Sequence, residues 1–411
     1  MKNANLGFNK DTSVLFATFS LWANGKRMPT NGSVEPLRDF LVPKIKKLVL
    51  IDQLVPGGED VAYKIEVYTN GNMKCDTPDP SWWYAWFRPW LTWTNRNGTQ
   101  ISFKIRDFLS VVDWPFRTNT TYDYLIGLES INALAGILLR HFGKVRKVVY
   151  YVSDYSPARY PNKLFNALYL ALDRYCARHA DYIWDVSDAM QKARIAAGLD
   201  PQTSAPVIHV ANGLFPDQII PGHPKQNNIH ALAYMGTVGP ENGPDVAIEA
   251  LAIVRKKYSD AVLHMIGGKP SDFAWLLPII KKLDLERVVI HHGFVPKAAD
   301  MAKIMNACSI GLAPYRAISG SPRYYGDAGK IRAYAGAGLP IICSSVPPLG
   351  KEAAEQGAAI VTNDDAQSIA KMVMQLFSDS EYYTSLQENA RKFAKNNTWE
   401  NQFMSAFTRM K

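Results

Sequence analysis

Residues 326–340 read GDAGKIRAYAGAGLP, and the strand-like IICS follows at 341–344. A short glycine-containing loop leads into a helix of small residues that carries Lys330 in its first turn, and Gly-Leu-Pro then ends the helix before a buried strand. Free N–H groups at a helix start, the helix dipole and a lysine together make an anion site. The alternative is an ordinary helix of a doubly wound sheet, with Asp327 as its N-terminal cap.

Short apolar runs alternate with helical patterns along the whole chain. This alternation is typical of α/β folds in which helices connect the strands of a doubly wound, parallel sheet. In the second half, strands are predicted at Ala231–Met235, Ala261–Ile266, Arg287–His291, Ser309–Ala313, Pro340–Cys343 and Ala358–Val361. In the first half, strands are predicted at Ser13–Phe19, Lys47–Ile51, Lys64–Tyr68, Tyr122–Gly127, Lys147–Val152, Tyr182–Val186 and Pro206–Val210.

The length of 411 residues favours two domains of about 200 residues each. Residues 216–228 are rich in proline, glycine and asparagine and mark the join between them. The predicted domains are residues 1–217 and 218–395, and an amphipathic helix is predicted over 396–411. Ligands of such sheets gather beyond the carboxyl ends of the strands, so we expect the site in a cleft between the domains.

The net charge of +9 and the pI near 9.1 favour anionic partners, such as sugar nucleotides, nucleic acid or an acidic membrane face. No arginine-rich tail or familiar nucleic-acid motif accompanies the charge, so nucleic acid is not the expected partner. The cysteines form no Cys-x-x-Cys pair and the histidines show no zinc spacing, which predicts a reducing compartment and no metal site. No signal pattern opens the chain and no apolar run reaches about 18 residues, so a cytoplasmic protein is expected.

Several further segments share a recognisable pattern. They are YMGTVGP at 234–240, HMIGG at 264–268, IHHGFVP at 290–296, ACSIGLAPY at 307–315, ADYIWDVS at 180–187 and ANG at 211–213. Together with the helix around Lys330, these segments resemble the retaining glycosyltransferases of family four (glycosyl transferases group 1). The resemblance covers most of the second half of the chain and scattered points in the first half.

The resemblance implies a GT-B fold, in which two Rossmann-like domains face a cleft and the C-terminal helix crosses back to the first domain. The second domain would bind a nucleotide-sugar donor as substrate, and the first would bind the acceptor. Neither a metal nor a separate cofactor is implied. The residues implied to contact the donor are Gly236, Thr237, Gly268, Phe294, Val295, Arg323, Asp327, Lys330 and Tyr334.

The donor region also departs from the family pattern. Tyr325 and Ala333 occupy the places of the two usual glutamates, so the carboxylate that binds the ribose is missing. The usual arginine and lysine after the Gly236 loop are absent as well, which leaves Lys330 as the basic contact to the diphosphate. Arg323 and Arg332 are nearby candidates, and Arg332 is expected to face solvent.

Two acids in the first half are candidate catalytic residues. Asp154 follows a predicted strand, where the family often has a His-Asp pair, and could orient an acceptor hydroxyl or the donor sugar. The alternative is an Asx-turn at the start of a loop. Glu129 follows the strand Tyr122–Gly127 and could be a second cleft acid, or a first-turn glutamate favoured by the helix dipole.

The segment 82–93 contains half of the chain's ten tryptophans. Trp82, Trp86, Trp90 and Trp93 fall on one helical face, although Pro89 is expected to break or kink this helix. Such a face could settle at an anionic membrane interface or hold a sugar or lipid-linked acceptor. The alternative is a tryptophan-rich part of the core.

The resemblance implies a metal-independent hexosyltransferase that moves a sugar from a nucleotide sugar to a glycan or glycolipid acceptor, with retention. Cell-surface polysaccharide or glycoconjugate synthesis at the inner face of the cell membrane is the expected setting. The donor phosphate would help to take the acceptor proton, while the protein supplies positive charge and positioning. The alternatives are a sugar-nucleotide epimerase on the same scaffold and a non-catalytic GT-B module that binds glycan or partners.

Overall fold

The computed structural model describes residues 7–23, 26–28, 32–56, 61–76, 81–96, 101–221 and 229–410. The chain divides into two compact units, residues 1–211 with 402–411 and residues 212–401. The sequence places the boundaries at 217/218 and 395/396, and most of the predicted join, residues 222–228, lies outside the described residues.

Unit 1 contains a sheet that is flanked by helices. The strands of unit 1 are β1 (Ser13–Ser20), β2 (Trp22–Ala23), β3 (Lys26–Arg27), β4 (Lys47–Leu54), β5 (Tyr63–Thr69), β6 (Asn72–Asp76), β7 (Tyr122–Leu128), β8 (Val145–Val152), β9 (Tyr182–Asp185) and β10 (Val207–His209). Of these, β2 and β3 pair only with each other, in a separate two-stranded sheet. Its helices are α1 (Val34–Leu41), α2 (Trp82–Arg96), α3 (Ile101–Arg117), α4 (Glu129–His141), α5 (Lys163–His179) and α6 (Asp188–Ala196).

The main sheet of unit 1 has the order β10-β9-β8-β7-β1-β4-β5-β6. The pairings from β10 to β4 are parallel, whereas β4, β5 and β6 form antiparallel neighbours. β1, β4, β7 and β8 are nearly continuous buried apolar runs, as expected for strands covered on both faces. A Cβ on Gly127 would lie 2.6 Å from the Ala133 nitrogen, so α4 packs directly onto β7 and begins where this strand ends.

Unit 2 repeats this plan with a fully parallel sheet of order β13-β12-β11-β14-β15-β16. Its strands are β11 (Ala231–Met235), β12 (Val262–Ile266), β13 (Val289–Gly293), β14 (Ile310–Ala313), β15 (Ile341–Ser344) and β16 (Ala359–Thr362). Its helices are α7 (Pro244–Arg255), α8 (Pro270–Phe273), α9 (Leu277–Lys282), α10 (Ala298–Asn306), α11 (Gly329–Gly336), α12 (Pro348–Glu355), α13 (Ala366–Ser378) and α14 (Ser380–Asn396).

The last helix, α15 (Trp399–Arg409), ends within unit 1. Phe407 packs edge-on against Phe8 and stacks on Phe40, and Trp184 at the other side contacts Phe407 edge-on. The predicted α/β fold with two doubly wound Rossmann-like units is confirmed, and the C-terminal helix returns to the first unit.

The expectation that Pro89 breaks or kinks the tryptophan helix is wrong, because α2 runs from Trp82 to Arg96 with Pro89 inside it. A proline removes one backbone hydrogen bond from a helix and crowds the preceding turn. Here Tyr84 and Leu91 are buried on either side of it, so packing holds both halves of the helix. The cost of a proline is therefore offset by contacts that are not local in sequence.

Candidate functional site

Two glycine-bearing loops lie at the carboxyl ends of β11 and β12. Gly236, Gly267 and Gly268 all have positive φ values, 119°, 115° and 73°. A Cβ on Gly267 would overlap the Gly236 carbonyl oxygen, so side chains cannot stand between the two loops. The Gly267 N–H also donates to the Gly293 oxygen (2.8 Å), which joins the end of β13 to this surface. These glycines are partly exposed and form a surface of bare backbone, the glycine floor, which suits close approach of a phosphate-bearing ligand.

Lys330 extends over this floor from the first turn of α11. A Cβ on Gly236 would lie 3.3 Å from Lys330 Cε, so the absent side chain leaves the space that the lysine uses. Lys330 Nζ lies 4.3 Å from the Tyr234 ring centroid and 4.4 Å from that of Tyr315. The side chain is only 7% exposed, and no described residue forms a hydrogen bond with Nζ. A buried ammonium without a hydrogen-bond acceptor is a costly arrangement that a bound anion would relieve.

Burial is the main reason why the Lys330 pKa falls from its usual value to about 7. The Arg323 guanidinium lowers this pKa further, and the Glu241 carboxylate opposes both effects. Contacts with two aromatic faces stabilise the charged form only in part. A bound anion would therefore raise the pKa of Lys330 and favour its charged form.

Tyr334 lies beneath this floor. Its hydroxyl accepts the Met235 N–H (2.7 Å) and donates to the Leu312 oxygen (2.9 Å), which ties β11 to β14. A Cβ on Gly311 would overlap the Tyr334 ring, and the ring is fully buried. The predicted direct contact of Tyr334 with a donor is therefore replaced by support of the strand that positions Gly236.

Asp327 is also buried. Its Oδ2 accepts hydrogen bonds from the Asn212 N–H (2.7 Å) and from Arg332 Nε (3.2 Å) and Nη2 (3.0 Å). The expectation that Arg332 faces solvent is wrong, because this ion pair and a bond to Asn397 allow it to be buried. The alternative that Asp327 caps the helix is also wrong, since Ala328 is the N-cap residue. Asp327 Oδ1 has no hydrogen-bond partner among the described residues, but the side chain is only 1% exposed, so Asp327 supports the approach to α11 from within the unit.

The other predicted donor residues lie in the loops around the floor. Thr237 Oγ1 accepts from Asn242 Nδ2 (2.7 Å), and Gly268 is packed against Val238. Phe294 is exposed and Val295 is partly buried. Arg323 is partly exposed, and its Nη2 lies 3.9 Å from Glu241 Oε1. Its charge lowers the pKa of Lys330.

Three residues at this site were missed by sequence reasoning. Tyr234 and Tyr315 form the aromatic walls around Lys330, and Glu241 is the acid that faces Arg323. Both tyrosines lie within the segments quoted from the sequence, Tyr234 as the first residue of 234–240 and Tyr315 as the last of 307–315, and this placement was the available signal.

Glu129 is the first residue of α4 and has a φ of 66°. This left-handed conformation costs a non-glycine residue about 1–3 kcal/mol and is concentrated at functional sites. Glu129 Oε1 accepts from the Ser153 N–H (3.2 Å), Ser153 Oγ (3.1 Å) and the Asp154 N–H (3.3 Å). Burial raises the pKa of Glu129, while Arg159 opposes the shift. The first-turn position is thus correct, but the strained backbone and the half-buried carboxylate exceed what a helix-dipole role needs.

Asp154 follows β8 and is more open than Glu129. Its side chain is 55% exposed, and Oδ2 pairs with Arg159 Nη1 at 3.0 Å. Arg159 Nη1 also donates to the Asp154 carbonyl oxygen (2.7 Å). The two candidate acids are therefore brought together through Ser153 and Arg159, with Glu129 on the buried side.

The tryptophan face of α2 points outward. Trp82 and Trp86 are 79% and 84% exposed, and Trp90 and Trp93 are also exposed. The alternative that these four residues form a core is therefore wrong. Among the described helices, none has the length and apolar character needed to cross a membrane. The described His, Cys, Asp and Glu residues include no group of three or more that could hold a metal ion.

Residues 216–393 match the family model described as glycosyl transferases group 1. A D-inositol 3-phosphate glycosyltransferase from Jonesia denitrificans is 28% identical over 175 residues, which are 41% of this chain. The match spans only about 40% of the length of that curated relative.

Several solved structures that resemble this chain extend over nearly all of it. HepE from Anabaena in complex with UDP has a TM-score of 0.66 at 17% identity and covers 96% of this chain and 99% of its own. Sucrose-phosphate synthase from Thermosynechococcus elongatus has a TM-score of 0.65 at 12% identity and covers 97% of each chain. WaaG, a glycosyltransferase involved in lipopolysaccharide biosynthesis, has a TM-score of 0.61 at 15% identity and covers 96% of this chain and 98% of its own. At these identities the likeness shows the fold.

Proposed function

We propose that this protein, which has the GT-B fold and matches the glycosyl transferases group 1 over residues 216–393, transfers a sugar from a nucleotide sugar to a hydroxyl acceptor. Unit 2 binds the donor and unit 1 binds the acceptor. Retention of the anomeric configuration and independence from metal are parts of this proposal that rest on the family resemblance.

The observation that best supports this proposal is Lys330. A buried, unpaired amine above a glycine floor, at the start of an eight-residue helix, matches the needs of a diphosphate. The diphosphate is also the leaving group, so charge that develops on it in the transition state meets Lys330 and, from the side, Arg323. Because HepE was solved with UDP, a uridine nucleotide is the first donor to test.

The donor pocket must bind the ribose without the glutamate that the family usually provides. Tyr325 and Ala333, which replace the usual glutamates, offer no carboxylate. Asp327 is poorly placed to take over this role, because Arg332 and the Asn212 N–H occupy its Oδ2 and its side chain is only 1% exposed. We therefore expect backbone groups of the loop 293–295 and the glycine floor to provide most of the nucleotide contacts.

A panel of nucleotide sugars with product analysis tests the proposal. The purified full chain is incubated with each nucleotide sugar, with and without a chelator, in the presence of hydroxyl-bearing acceptors. Release of nucleotide together with a new glycoside of the donor's anomeric configuration is the expected result, unchanged by the chelator. A change in the sugar's stereochemistry while it stays on the nucleotide would indicate an epimerase, and binding without any product would indicate a non-catalytic module.

The pH dependence of donor binding should follow Lys330. Below about pH 7 the amine is already charged, so affinity for a nucleotide sugar stays constant. Above this pH, binding must include the uptake of a proton, and affinity should fall by up to about tenfold per pH unit. Calorimetry from pH 6.5 to 9 in buffers of different ionisation enthalpy measures both effects. A wild-type affinity that is flat, or that rises with pH, would contradict this role.

We also propose that the α2 face lies against an anionic membrane on the cytoplasmic side. The exposed tryptophans are accompanied by the exposed Ile101 and Ile105 of the neighbouring α3, and the chain carries a net charge of +9. Large exposed indole rings on a chain with a positive net charge suit the lipid headgroup region. The free thiols of Cys176, Cys308 and Cys343 suit a reducing compartment.

Replacing Trp86 and Trp90 with serine should reduce binding to anionic liposomes by about tenfold or more, because each indole buries a large apolar area at the interface. The melting temperature should change little, since both rings are exposed. Co-sedimentation with vesicles that contain phosphatidylserine measures the effect. The control replaces the similarly exposed Phe116 and Phe142 with serine. A large fall in melting temperature with intact liposome binding would assign the tryptophans to structure instead.

A further inference from the structure

We propose that a cavity of about 380 Å³ in unit 1 binds the apolar body of the acceptor, and that the acceptor is an uncharged, hydroxyl-bearing amphiphile. The inference rests on the proposed transfer reaction and specifies its acceptor. The volume falls within the range of small-molecule sites, roughly 300–1,000 Å³.

The cavity lies where a parallel sheet presents its ligands. Phe19 near the end of β1, Leu54 at the end of β4 and Leu128 at the end of β7 all line it. Helices α3 and α5 provide the walls. The cavity therefore lies at the carboxyl ends of parallel strands, where other doubly wound folds bind their ligands.

The walls are mostly apolar and include side chains that a folded protein seldom leaves in water. Ile101, Phe165 and Leu168 line the cavity and are all exposed, Leu168 to 59%. Phe103 and Tyr169 continue the apolar lining. An apolar ligand would remove these surfaces from water, which favours its binding.

One part of the lining is polar and can bind a hydroxyl group of a ligand. Glu129 and Arg159 both line the cavity. Ser153 and the Asp154 N–H use Oε1 of Glu129, while no described residue forms a hydrogen bond with Oε2. A ligand hydroxyl can donate to this oxygen and accept from the Arg159 guanidinium. That pair of contacts fixes one hydroxyl at the apolar cavity.

The charges at this point favour a neutral group over a phosphate. Arg159 serves both Glu129 and Asp154, so two carboxylates face one guanidinium. Other polar residues of the lining are already paired, Gln53 with Asn132 and Arg106 with Asp107. Lys104, which also lines the cavity, is exposed and solvated. An anion placed against Glu129 would meet repulsion that no free buried cation offsets among the described residues.

Three probes test the apolar body and the absence of charge separately, in binding experiments on the full chain without nucleotide. They are n-octyl β-glucopyranoside below its critical micelle concentration, methyl β-glucopyranoside, and n-octyl phosphate. We expect octyl glucoside to bind at least about tenfold more tightly than either of the others, since the methyl compound lacks the apolar body and the phosphate carries charge. Equal or tighter binding of octyl phosphate, or equal binding of methyl glucoside, would overturn the inference.

A matched pair of variants locates the binding site. Leu168→Asp places a charge in the cavity wall and should weaken octyl glucoside binding at least about tenfold. Leu164→Asp introduces the same charge one turn earlier in α5, at a side chain that is 73% exposed and does not line the cavity, and should leave binding unchanged. Both sites are exposed, so both variants should keep the wild-type melting temperature. Equal binding by the two variants would show that the probe binds elsewhere.

The two proposals fail in different ways. Octyl glucoside binding that depends on Leu168, without turnover of any nucleotide sugar, would reject the transfer reaction and keep the cavity as a ligand site. Transfer to hydrophilic acceptors alone, with no binding of octyl glucoside, would keep the transfer reaction and reject the amphiphile.

Discussion

Replacing Lys330 with methionine should weaken nucleotide-sugar binding by about ten- to a hundredfold. The change removes a charge-assisted contact worth roughly 1.5–3 kcal/mol and keeps a side chain of similar length in the space above Gly236. Isothermal calorimetry with a nucleotide sugar measures the affinity. In the same titrations, the fall of affinity above about pH 7 should disappear.

The same substitution should stabilise the protein. Folding lowers the pKa of Lys330 from 10.5 to about 7, so the unfolded chain binds more protons between these values. The wild type therefore gains stability as pH rises from about 7 to 10.5, and below about pH 7 it bears the full cost of a buried charge. At 1.36 kcal/mol per pH unit between about 7 and 10.5, methionine removes a destabilisation of up to about 5 kcal/mol at pH 6 to 7.

Opposite changes in affinity and stability distinguish a binding lysine from a structural one. Thermal melts at pH 6.5 and 9.5 should show the larger gain for Lys330→Met at the lower pH. Lys351→Met, at an exposed lysine of the same unit, is the control and should alter neither property. Unchanged nucleotide affinity, or a fall in stability with the affinity intact, would reject Lys330 as the diphosphate contact.

Replacing Glu129 with glutamine should lower turnover on the order of 100-fold, which corresponds to about 2.7 kcal/mol on the barrier. Glutamine keeps the side-chain shape, and its oxygen can still accept from Ser153 and the Asp154 N–H. It loses the negative charge that would orient the acceptor hydroxyl against Arg159. Nucleotide affinity should not change, since Glu129 belongs to the other unit of the chain.

Asp154→Asn is the matched comparison for this second test. Sequence reasoning places Asp154 first among the acids, whereas its exposed, Arg159-paired carboxylate suggests a smaller effect than that of Glu129. Steady-state turnover of the two variants, with equal melting temperatures, decides the order. Full turnover by Glu129→Gln together with a large loss in Asp154→Asn would restore the order expected from the sequence.

Local sequence patterns determined the α/β architecture. The buried strands β7, β11 and β15 were predicted within one or two residues, because a strand covered on both faces requires an apolar run whatever lies around it. The helix start that carries Lys330 was also predictable, because its signals are local. Glycine loops, a first-turn lysine and a Gly-Leu-Pro stop are all signals that act over a few residues.

Only the tertiary structure decided what the polar residues do. Arg332 is buried because Asp327 and Asn397 surround it, and Asp327 in turn binds the backbone of Asn212, 115 residues earlier. The strained backbone of Glu129 is held by contacts with Ser153, 24 residues away. Burial, ion pairing and the shape of a cavity depend on partners that are distant in sequence, whereas strands and helices depend on neighbours. The sequence by itself therefore determined the fold and the place of the proposed anion site, and the tertiary structure decided which side chains around that place are buried and paired.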